Sequence, residues 1–444
     1  MRQLNDPIAA VATPAGRGAL AILRISGSDL KRIAKNLFGK LPRPRVATLL
    51  TITGVDKAAI DNAVVIYFRG PHSFTGEDVI EIQTHGGAVA IREVMRAACA
   101  AGARQARGGE FSERAFINGK IDLIQAEAIA DLIESSTTLT AGLAQKSLAG
   151  HFSRQVNSII EKLKSIHVVI EAMIDFPEDE IPLVTSTDLA TRSNEVGLAI
   201  KRLIHKSERG ARVKDGLSIA IIGRPNVGKS TLLNVLSGED RAIVTREPGT
   251  TRDILTVDIE LDGLLVRLYD TAGLRETESD VEKEGVRRAK EKVCEADAIF
   301  FVVTSEMDDL DEYVGDLTIP VFKIRNKIDL DGLEVMLEPL ASGAYLQISA
   351  KQERGIDLIY TALADYFNIV GEPDNMILAR ERHITELNAA AEALDFNHRE
   401  LYQCSPELGA ERIRVAMRAL GTLTGKYTNE ELLGEIFSTF CIGK

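Results

Sequence analysis

Residues 223–230 read Gly-Arg-Pro-Asn-Val-Gly-Lys-Ser, a complete G-x-x-x-x-G-K-[ST] phosphate loop. Before it, Ser218-Ile219-Ala220-Ile221-Ile222 is an apolar run suited to a buried parallel strand. After it, Thr231-Leu232-Leu233-Asn234-Val235-Leu236 can open a helix. A glycine-rich turn alone means little; strand, loop and helix in this order give the motif its mechanism. The loop N–H groups over Asn226, Val227 and Gly228, with the helix N-terminus through Thr231, form a nest for the α- and β-phosphates. Lys229 is expected at the β/γ oxygens, and the Ser230 hydroxyl on Mg²⁺.

The base is read from a second fragment. Asn326-Lys327-Ile328-Asp329 follows the apolar run Val321-Phe322-Lys323-Ile324. The Asp329 carboxylate accepts only, so it matches the paired N–H donors of guanine N1 and N2, which adenine lacks. Asn326 is expected to bridge loops and approach the purine edge, with the Lys327 stem over the base plane. Ser349-Ala350-Lys351 follows Tyr345-Leu346-Gln347-Ile348, and its backbone can offer an N–H to guanine O6. Asp270-Thr271-Ala272-Gly273 follows Leu265-Val266-Arg267-Leu268-Tyr269. That puts Asp270 at a strand end, near the Mg²⁺ shell, with Gly273 free to turn toward a γ-phosphate. Thr250-Thr251 lies where a switch threonine belongs, which makes Thr251 the second Mg²⁺ ligand beside Ser230. An isolated Asn-Lys-x-Asp is as readily a surface turn. Four fragments in this order define a GTP site.

Composition bounds the rest. A length of 444 residues suggests about three domains at roughly 150 residues each. The net charge of −12 excludes a general polyanion binder, so any nucleic-acid contact needs a local basic patch. Lys201, Arg202, Lys206, Arg209, Arg212 and Lys214 form one such stretch, readable equally as a solvated helix face. Cys99, Cys294, Cys404 and Cys441 lie far apart, against a zinc site or a disulfide framework and for a reducing compartment. Neither a secretory h-region nor an 18-residue apolar run is present, so a cytoplasmic protein without membrane contact is expected.

Pattern changes along the chain divide it into a multidomain α/β and α protein. Residues 1–118 mix strand-like runs (Ala19–Ile25, Ala63–Phe68, Val79–Ile82) with a helical one over Ala88–Ala100, an α+β domain. Residues 119–212 turn helical, with Val156, Ile159, Ile160, Leu163, Ile166, Ile170, Met173 and Ile174 at three- and four-residue steps. Phe176–Pro182 breaks that pattern. The GTPase domain occupies 213–370, a parallel sheet with helices on both faces. Residues 371–444 return to helix, with stripes at Ile384, Leu387, Ala391 and Leu394, at Ile413, Ala416, Met417 and Leu420, and at Leu432, Leu433, Ile436 and Phe437. A GTPase domain inserted into one helical bundle explains this order; two separate helical pieces are the alternative.

Further motifs carry a family resemblance. Pro248-Gly249-Thr250-Thr251-Arg252-Asp253 and Asp270-Thr271-Ala272-Gly273-Leu274-Arg275 stand in the nucleotide region. Ala12-Thr13-Pro14, Gly16-Arg17-Gly18 and Ile22-Leu23-Arg24-Ile25-Ser26 stand near the start, followed by Phe74-Thr75-Gly76-Glu77-Asp78 and Gly109-Glu110-Phe111-Ser112-Glu113-Arg114-Ala115-Phe116. The chain closes on Phe440-Cys441-Ile442-Gly443-Lys444. Together these closely resemble the MnmE (TrmE) family of tRNA-modification GTPases, across essentially the whole chain.

The resemblance implies a tetrahydrofolate-binding N-terminal domain, through which the family forms a homodimer. It also implies a flavin-dependent partner, MnmG (GidA), in a heterotetramer or larger complex. Together the two modify carbon 5 of the wobble uridine of certain tRNAs, with a one-carbon unit from 5-formyl- or 5,10-methylene-tetrahydrofolate. By motif, the folate contacts are Arg24, Glu81, Lys120 and Lys444. GTP hydrolysis is implied to need K⁺, held by Asn226 in the phosphate loop and by Thr245, Glu247 and Thr250, and to accompany pairing of the GTPase domains across the dimer when K⁺ is bound. The stretch Thr245-Arg246-Glu247-Pro248-Gly249-Thr250 lends mostly backbone oxygens and also borders the nucleotide.

Leu274 stands where a water-orienting glutamine is expected, and leucine cannot orient water. The acidic run Glu276, Glu278, Asp280, Glu282, Glu284 follows, and residue chemistry alone does not choose among its members. The resemblance selects Glu282 as the catalytic carboxylate. Cys441 has two readings, a thiolate that attacks uridine carbon 6 or a small side chain beside the folate. A ribosome-assembly or signalling GTPase is the rival function, but such proteins carry basic RNA-binding modules rather than this N-terminal domain and Cys-Ile-Gly-Lys end.

Overall fold

The computed structural model describes residues 6–175, 186–238, 255–261, 263–270, 295–304, 319–367, 375–428, 430–440 and 443. Two compact units divide the chain. One comprises Met1–Ala130, Leu148–Lys164 and Arg414–Lys444; the other comprises Asp131–Ser147 and Ser165–Ile413. Among the described residues, no helix is long and apolar enough to cross a membrane.

The first unit begins with β1 (Ile8–Val11), β2 (Leu20–Gly27), α1 (Lys31–Phe38), β3 (Thr48–Thr53), β4 (Ala59–Phe68), β5 (Asp78–His85), α2 (Ala88–Ala100), β6 (Arg104–Gln105) and α3 (Glu110–Ile117). The strand order is β3-β4-β5-β2-β1-β6, antiparallel except for β1 beside β6. In β2 and β5 the side chains alternate. Leu23, Ile25, Ile80 and Ile82 point into a core closed by Ile33 and Leu37 of α1 and Val94 and Ala98 of α2. Arg24 and Glu81 therefore fall on the opposite sheet face. The helix expected over Ala88–Ala100 has those bounds. Strand β2 runs two residues past the expected Ile25, where Ser26 is buried and bonded to Thr75 and Glu77, each at 2.7 Å.

Helix α4 (Leu123–Glu134), α5 (Thr138–Leu148), α6 (His151–Asp175) and α7 (Ser186–Asp215) follow, α4, α5 and α6 each contributing to both units. The α6 periodicity is real: Val156, Ile159, Ile160, Leu163, Ile166 and Ile170 are buried, while Met173 and Ile174 are half-buried. The break at 176–182 lies outside the described residues.

The second unit continues with β7 (Leu217–Ile222), α8 (Lys229–Leu236), β8 (Leu255–Leu261), β9 (Leu264–Asp270), β10 (Ala298–Val303), β11 (Val321–Arg325), α9 (Ile328–Asp331), β12 (Met336–Leu340), β13 (Gly343–Gln347) and α10 (Ile356–Tyr366). Strands β13-β11-β10-β7-β9 form the expected parallel sheet. Antiparallel β12 and β8 extend its two edges, a mixed margin that the pattern did not predict. Central β10, Ala-Ile-Phe-Phe-Val-Val, is buried at every residue because both faces are covered. One face packs Ile219, Ile221, Phe300, Val302 and Phe322 against Leu232 and Leu236 of α8 and Ile359 and Leu363 of α10. The other gathers Ala220, Ile222, Ile299, Phe301 and Val303.

The chain ends in α11 (Glu381–Ala393), α12 (His398–Cys404), α13 (Pro406–Thr424) and α14 (Glu430–Ser438). Helices α11 and α12 pack on α7, which precedes the sheet in sequence. Ser193 and Tyr402 share a buried 2.7 Å hydrogen bond across that contact. Where the chain returns, the Ile377 N–H donates to the Lys206 carbonyl at 3.1 Å. The approach is so close that a Cβ on Gly210 would stand 1.9 Å from the Ile377 oxygen, so only glycine fits. In the first unit, Ile436 and Phe437 of α14 join Leu123 and Ala126 of α4 in one apolar cluster.

Candidate functional site

The phosphate loop leaves β7 at Ile222 and turns into α8 at Lys229. Two glycines make that turn possible. Gly223 (φ 149°) lies under the Val302 carbonyl, which an added Cβ would meet at 2.1 Å. Gly228 (φ 100°) lies against the Asn326 amide, which a Cβ would meet at 2.3 Å. Asn226 also takes a positive φ, 63°, at the exposed crest. Val227 is buried, and Ser230 and Thr231 are exposed on the first turn of α8. The Lys229 ammonium donates to the Gly223 and Arg224 carbonyls at 2.7 and 2.9 Å.

Asn326 assembles the site. Buried at 3% exposure, it donates from Nδ2 to the Val227 carbonyl at 3.0 Å. Its Oδ1 accepts the N–H groups of Lys327 at 2.8 Å and Ala350 at 2.9 Å. One amide thus ties the phosphate loop, the Asn-Lys-x-Asp turn and the Ser-Ala-Lys turn together. The expected bridging is there, with one change: the Ala350 N–H is given to Asn326 rather than held out for a base. Lys327 (φ 66°) reaches back so that its Nζ donates to the Asn226 carbonyl at 2.5 Å. Asp329 accepts from the Ser349 hydroxyl at 2.6 Å, which orients its carboxylate. Asp270 ends β9 beside the loop strand β7, paired with Ile221. Thr245, Arg246, Glu247, Pro248, Gly249, Thr250, Thr251, Thr271, Ala272, Gly273, Leu274 and Glu282 lie outside the described residues, as do Cys441 and Lys444.

The second group of expected residues lies in the N-terminal sheet. Arg24 and Glu81 stand directly opposite each other on β2 and β5. Arg24 donates from Nε and Nη2 to Glu81 Oε1 at 3.0 and 2.8 Å. Sequence reasoning took the two as separate contacts; the register makes them one ion pair. The Arg24 guanidinium also lies 5.7 Å from the Phe74 ring centre and 5.8 Å from that of Phe111. Lys120 is turned to the Pro71 carbonyl at 3.0 Å. Phe74 and Pro71 belong to the loop between β4 and β5.

A buried ionic network fixes that loop, and sequence reasoning missed it. Arg114, 1% exposed, donates to Glu77 at 3.1 and 3.2 Å, to the Asp6 carbonyl at 2.8 Å and to Glu110 at 3.2 Å. Glu77 accepts from Ser26 as well, and Asn118 holds the Thr75 carbonyl at 2.7 Å. Arg104 grips Glu110 with two bonds, at 2.5 and 2.8 Å. Burial alone would raise the Glu110 pKa, but the bonds from Arg104 and the Arg107 N–H outweigh it and hold it down to about 2. The visible signal was the charge density of Phe-Ser-Glu-Arg and Gly-Glu-Asp, which single-residue reading cannot pair. The C-terminal segment reaches the same unit: a Cβ on Gly443 would meet the Val11 carbonyl at 2.3 Å. Cβ atoms on Gly108 and Gly109 would meet the Phe440 and Phe437 carbonyls at 2.7 and 2.5 Å.

His85 bonds Asp61 at 2.8 Å on the surface, a pairing that gives it a structural partner. In the basic stretch, Lys201 and Arg202 are exposed, Arg212 donates to the Phe367 carbonyl and Lys214 pairs with Asp131 at 3.7 Å.

A phosphate loop, an Asn-Lys-x-Asp turn and a Ser-Ala-Lys turn on one parallel sheet define a P-loop GTPase, here joined to an α+β N-terminal domain and a set of helices. Residues 7–120 match the family of the GTP-binding protein TrmE N-terminus, and residues 123–441 match the MnmE helical domain. The tRNA modification GTPase MnmE of Methylococcus capsulatus is 43% identical, with 99% of each chain covered. Those of Yersinia pestis bv. Antiqua and Hamiltonella defensa are 40% and 41% identical, again over 99% of each chain. The chain belongs to the MnmE family of tRNA modification GTPases, and it is a GTP hydrolase.

Proposed function

We propose that this chain is a K⁺-dependent cytoplasmic GTPase acting with a flavin-dependent MnmG (GidA) partner, in a heterotetramer or larger complex. Its reaction adds an aminomethyl or carboxymethylaminomethyl group to carbon 5 of the wobble uridine of certain tRNAs. The observation that carries the nucleotide half is Asn326, whose amide draws three separate motifs into one cradle. The tRNA half is supported by full-length similarity to tRNA modification GTPases.

The residues fit the groups they would hold. Positive φ at Asn226 and Gly228, just ahead of the α8 N-terminus, is the loop conformation in which backbone N–H groups can form a nest suited to phosphate. Lys229 would exchange the Gly223 and Arg224 carbonyls for β/γ oxygens. Mg²⁺ on Ser230 and Thr251, and K⁺ on Asn226, Thr245, Glu247 and Thr250, would supply positive charge against the leaving phosphate. Asp329, held by Ser349, would accept from guanine, and Glu282 would orient the attacking water that Leu274 cannot. In the N-terminal domain, Glu81 would accept from a pterin edge, while Arg24, Lys120 and Lys444 would meet polar oxygens or carboxylates. Tetrahydrofolate, as the 5-formyl or 5,10-methylene form, would bring the one-carbon unit. Cys441 stands beside that site in sequence, as a nucleophile or a positioned side chain.

The GTPase domain, 213–370, is inserted into a helical domain formed by 119–212 and 371–444. The close approach of Gly210 to Ile377 and the packing of α11 and α12 on α7 support this. The N-terminal domain, 1–118, would make the homodimer. Nucleoside analysis of tRNA from a strain lacking this chain tests the function directly. Loss of the carbon-5 aminomethyl-type wobble uridines is expected; an unchanged nucleoside profile would overturn it.

A further inference from the structure

With a net charge of −12, this chain can meet a polyanion only where cations gather locally. They gather around the loop that joins β4 to β5. The turn ahead of β3 is laid against the end of β4: Pro44 bridges Tyr67, and the Arg45 N–H donates to the Tyr67 carbonyl at 2.7 Å. Arg45 (φ 60°) holds its guanidinium 5.6 Å from the Phe68 ring centre and donates from Nη2 to the His72 carbonyl at 2.8 Å. The His72 N–H donates to the Arg69 carbonyl at 3.0 Å, and Lys120 Nζ donates to the Pro71 carbonyl at 3.0 Å. Arg43, Arg45, Arg69, His72 and Lys120 are all exposed, and none of them forms an ion pair among the described residues. Two carboxylates stand near Tyr67, and both are engaged. Asp78 accepts the Gly70 N–H at 3.0 Å and the Tyr67 hydroxyl, and Asp29 accepts the Lys31 N–H at 3.0 Å. Backbone bonds thus hold a rim of arginine and lysine side chains in place without pairing their charge. The same loop carries Phe74, whose ring lies 5.7 Å from the Arg24 guanidinium, so the rim borders the Arg24–Glu81 pair. The basic stretch of α7 differs: Arg212 and Lys214 are turned to protein partners, and His205 pairs with Glu208 at 3.5 Å.

We propose that this rim binds the phosphate backbone of tRNA and so holds the substrate beside the Arg24–Glu81 pair. The proposal rests on the tRNA half of the function proposed above. Guanidinium groups match phosphate oxygens, and such contacts supply affinity and register without reading sequence. Arg43 and Arg69 are the residues to change, since Arg45 braces the loop and Lys120 is a proposed folate contact. Binding of labelled tRNA to the full-length chain is followed by fluorescence anisotropy between about 50 and 200 mM KCl. The unaltered protein is compared with Arg43→Ala/Arg69→Ala, Arg43→Lys/Arg69→Lys and, on α7, Lys201→Ala/Arg202→Ala. The alanine pair at 43 and 69 is expected to weaken binding roughly tenfold and to lower the slope of log K against log salt by about 2, one per phosphate contact. The lysine pair keeps the slope, and the α7 pair matches the unaltered protein. An unaltered slope in the alanine pair, an equal loss in the α7 pair, or no tRNA binding by the unaltered chain overturns the proposal. So does an affinity lost only together with the dimer in light scattering, which makes the rim an interface between copies. If the alanine pair does not fold, ultraviolet cross-links from tRNA that miss residues 43–72 of the unaltered chain overturn it. Unchanged wobble uridines in a strain lacking this chain would instead remove the tRNA function beneath it.

Discussion

Asn326 uses both ends of its amide on the protein. Asn326→Ala leaves the Ala350 N–H and the Val227 carbonyl without their partner, at about 1–3 kcal/mol for a buried group. GTP affinity measured by titration is expected to fall together with thermal stability. Asp329→Asn acts differently, since its neighbour Ser349 can still bond it. It exchanges an acceptor for a partial donor, so GTP is expected to weaken strongly while xanthosine triphosphate gains. Full GTP affinity in that variant would remove the base assignment. Asn226→Ala is expected to leave GTP binding nearly intact and cut turnover by ~10²–10³, as losing one transition-state charge contact does. Glu282→Ala is expected to cut turnover while K⁺-dependent pairing of the GTPase domains persists. The Asn-Lys-x-Asp and phosphate-loop residues were legible because their chemistry is local. That Asn326 bridges loops was legible too; that its partners are the Val227 carbonyl and the Ala350 N–H was not, since these stand 99 and 24 residues away in the chain.

Helix α3 shows what periodicity cannot reveal. Its buried face includes Glu110, Ser112 and Arg114, which any hydropathy pattern places outside. Glu110 and Arg114 are inside because each charge meets its partner there. Arg114→Met removes one member and leaves Glu77 and Glu110 less compensated, a break expected to cost about 3–5 kcal/mol in urea unfolding. Glu110 also predicts a pH dependence. Its folded pKa is depressed to about 2 from the usual 4.5, so its contribution is full above 4.5 and is lost as pH falls toward 2. Unfolding midpoints measured across that window are expected to fall more steeply in the unaltered protein than in Glu110→Gln; parallel curves would contradict this. Strands β2, β4 and β5 were read from their apolar runs, and β7, β9, β11 and β13 from the runs ahead of the nucleotide motifs. Strands β1, β3 and β6 were not, because Ile8-Ala9-Ala10-Val11 is short, Thr48–Thr53 is half exposed and Arg104-Gln105 is only two residues long.

Two GTPase domains meeting over a cation would make hydrolysis depend on salt and on protein concentration. Rates in KCl are expected to exceed those in NaCl and to rise with concentration. Equal rates in both salts, without concentration dependence, would mean that other residues handle the water and the charge. The proposed insertion of the GTPase domain has its own consequence at Gly210. Gly210→Ala drives a Cβ into the Ile377 carbonyl, a backbone atom that cannot swing aside. Overpacking of this kind is expected to cost about 1–3 kcal/mol, read as a lowered Tm.

Short-range pattern was enough to establish the guanine nucleotide site, the α+β start, the helical flanks and the family. Each rests on residues within a few positions of one another or on motifs held in linear order. Long-range packing alone decided three things. It joined Arg24 to Glu81 by strand register, buried an ionic network around Arg114, and seated the β8–β9 turn on α5. The physical reason is common to all three. A charge or a glycine has no fixed meaning until its neighbour is known, and these neighbours stand 37 residues apart for Arg114 and Glu77, 57 for Arg24 and Glu81 and 122 for Thr138 and Glu260.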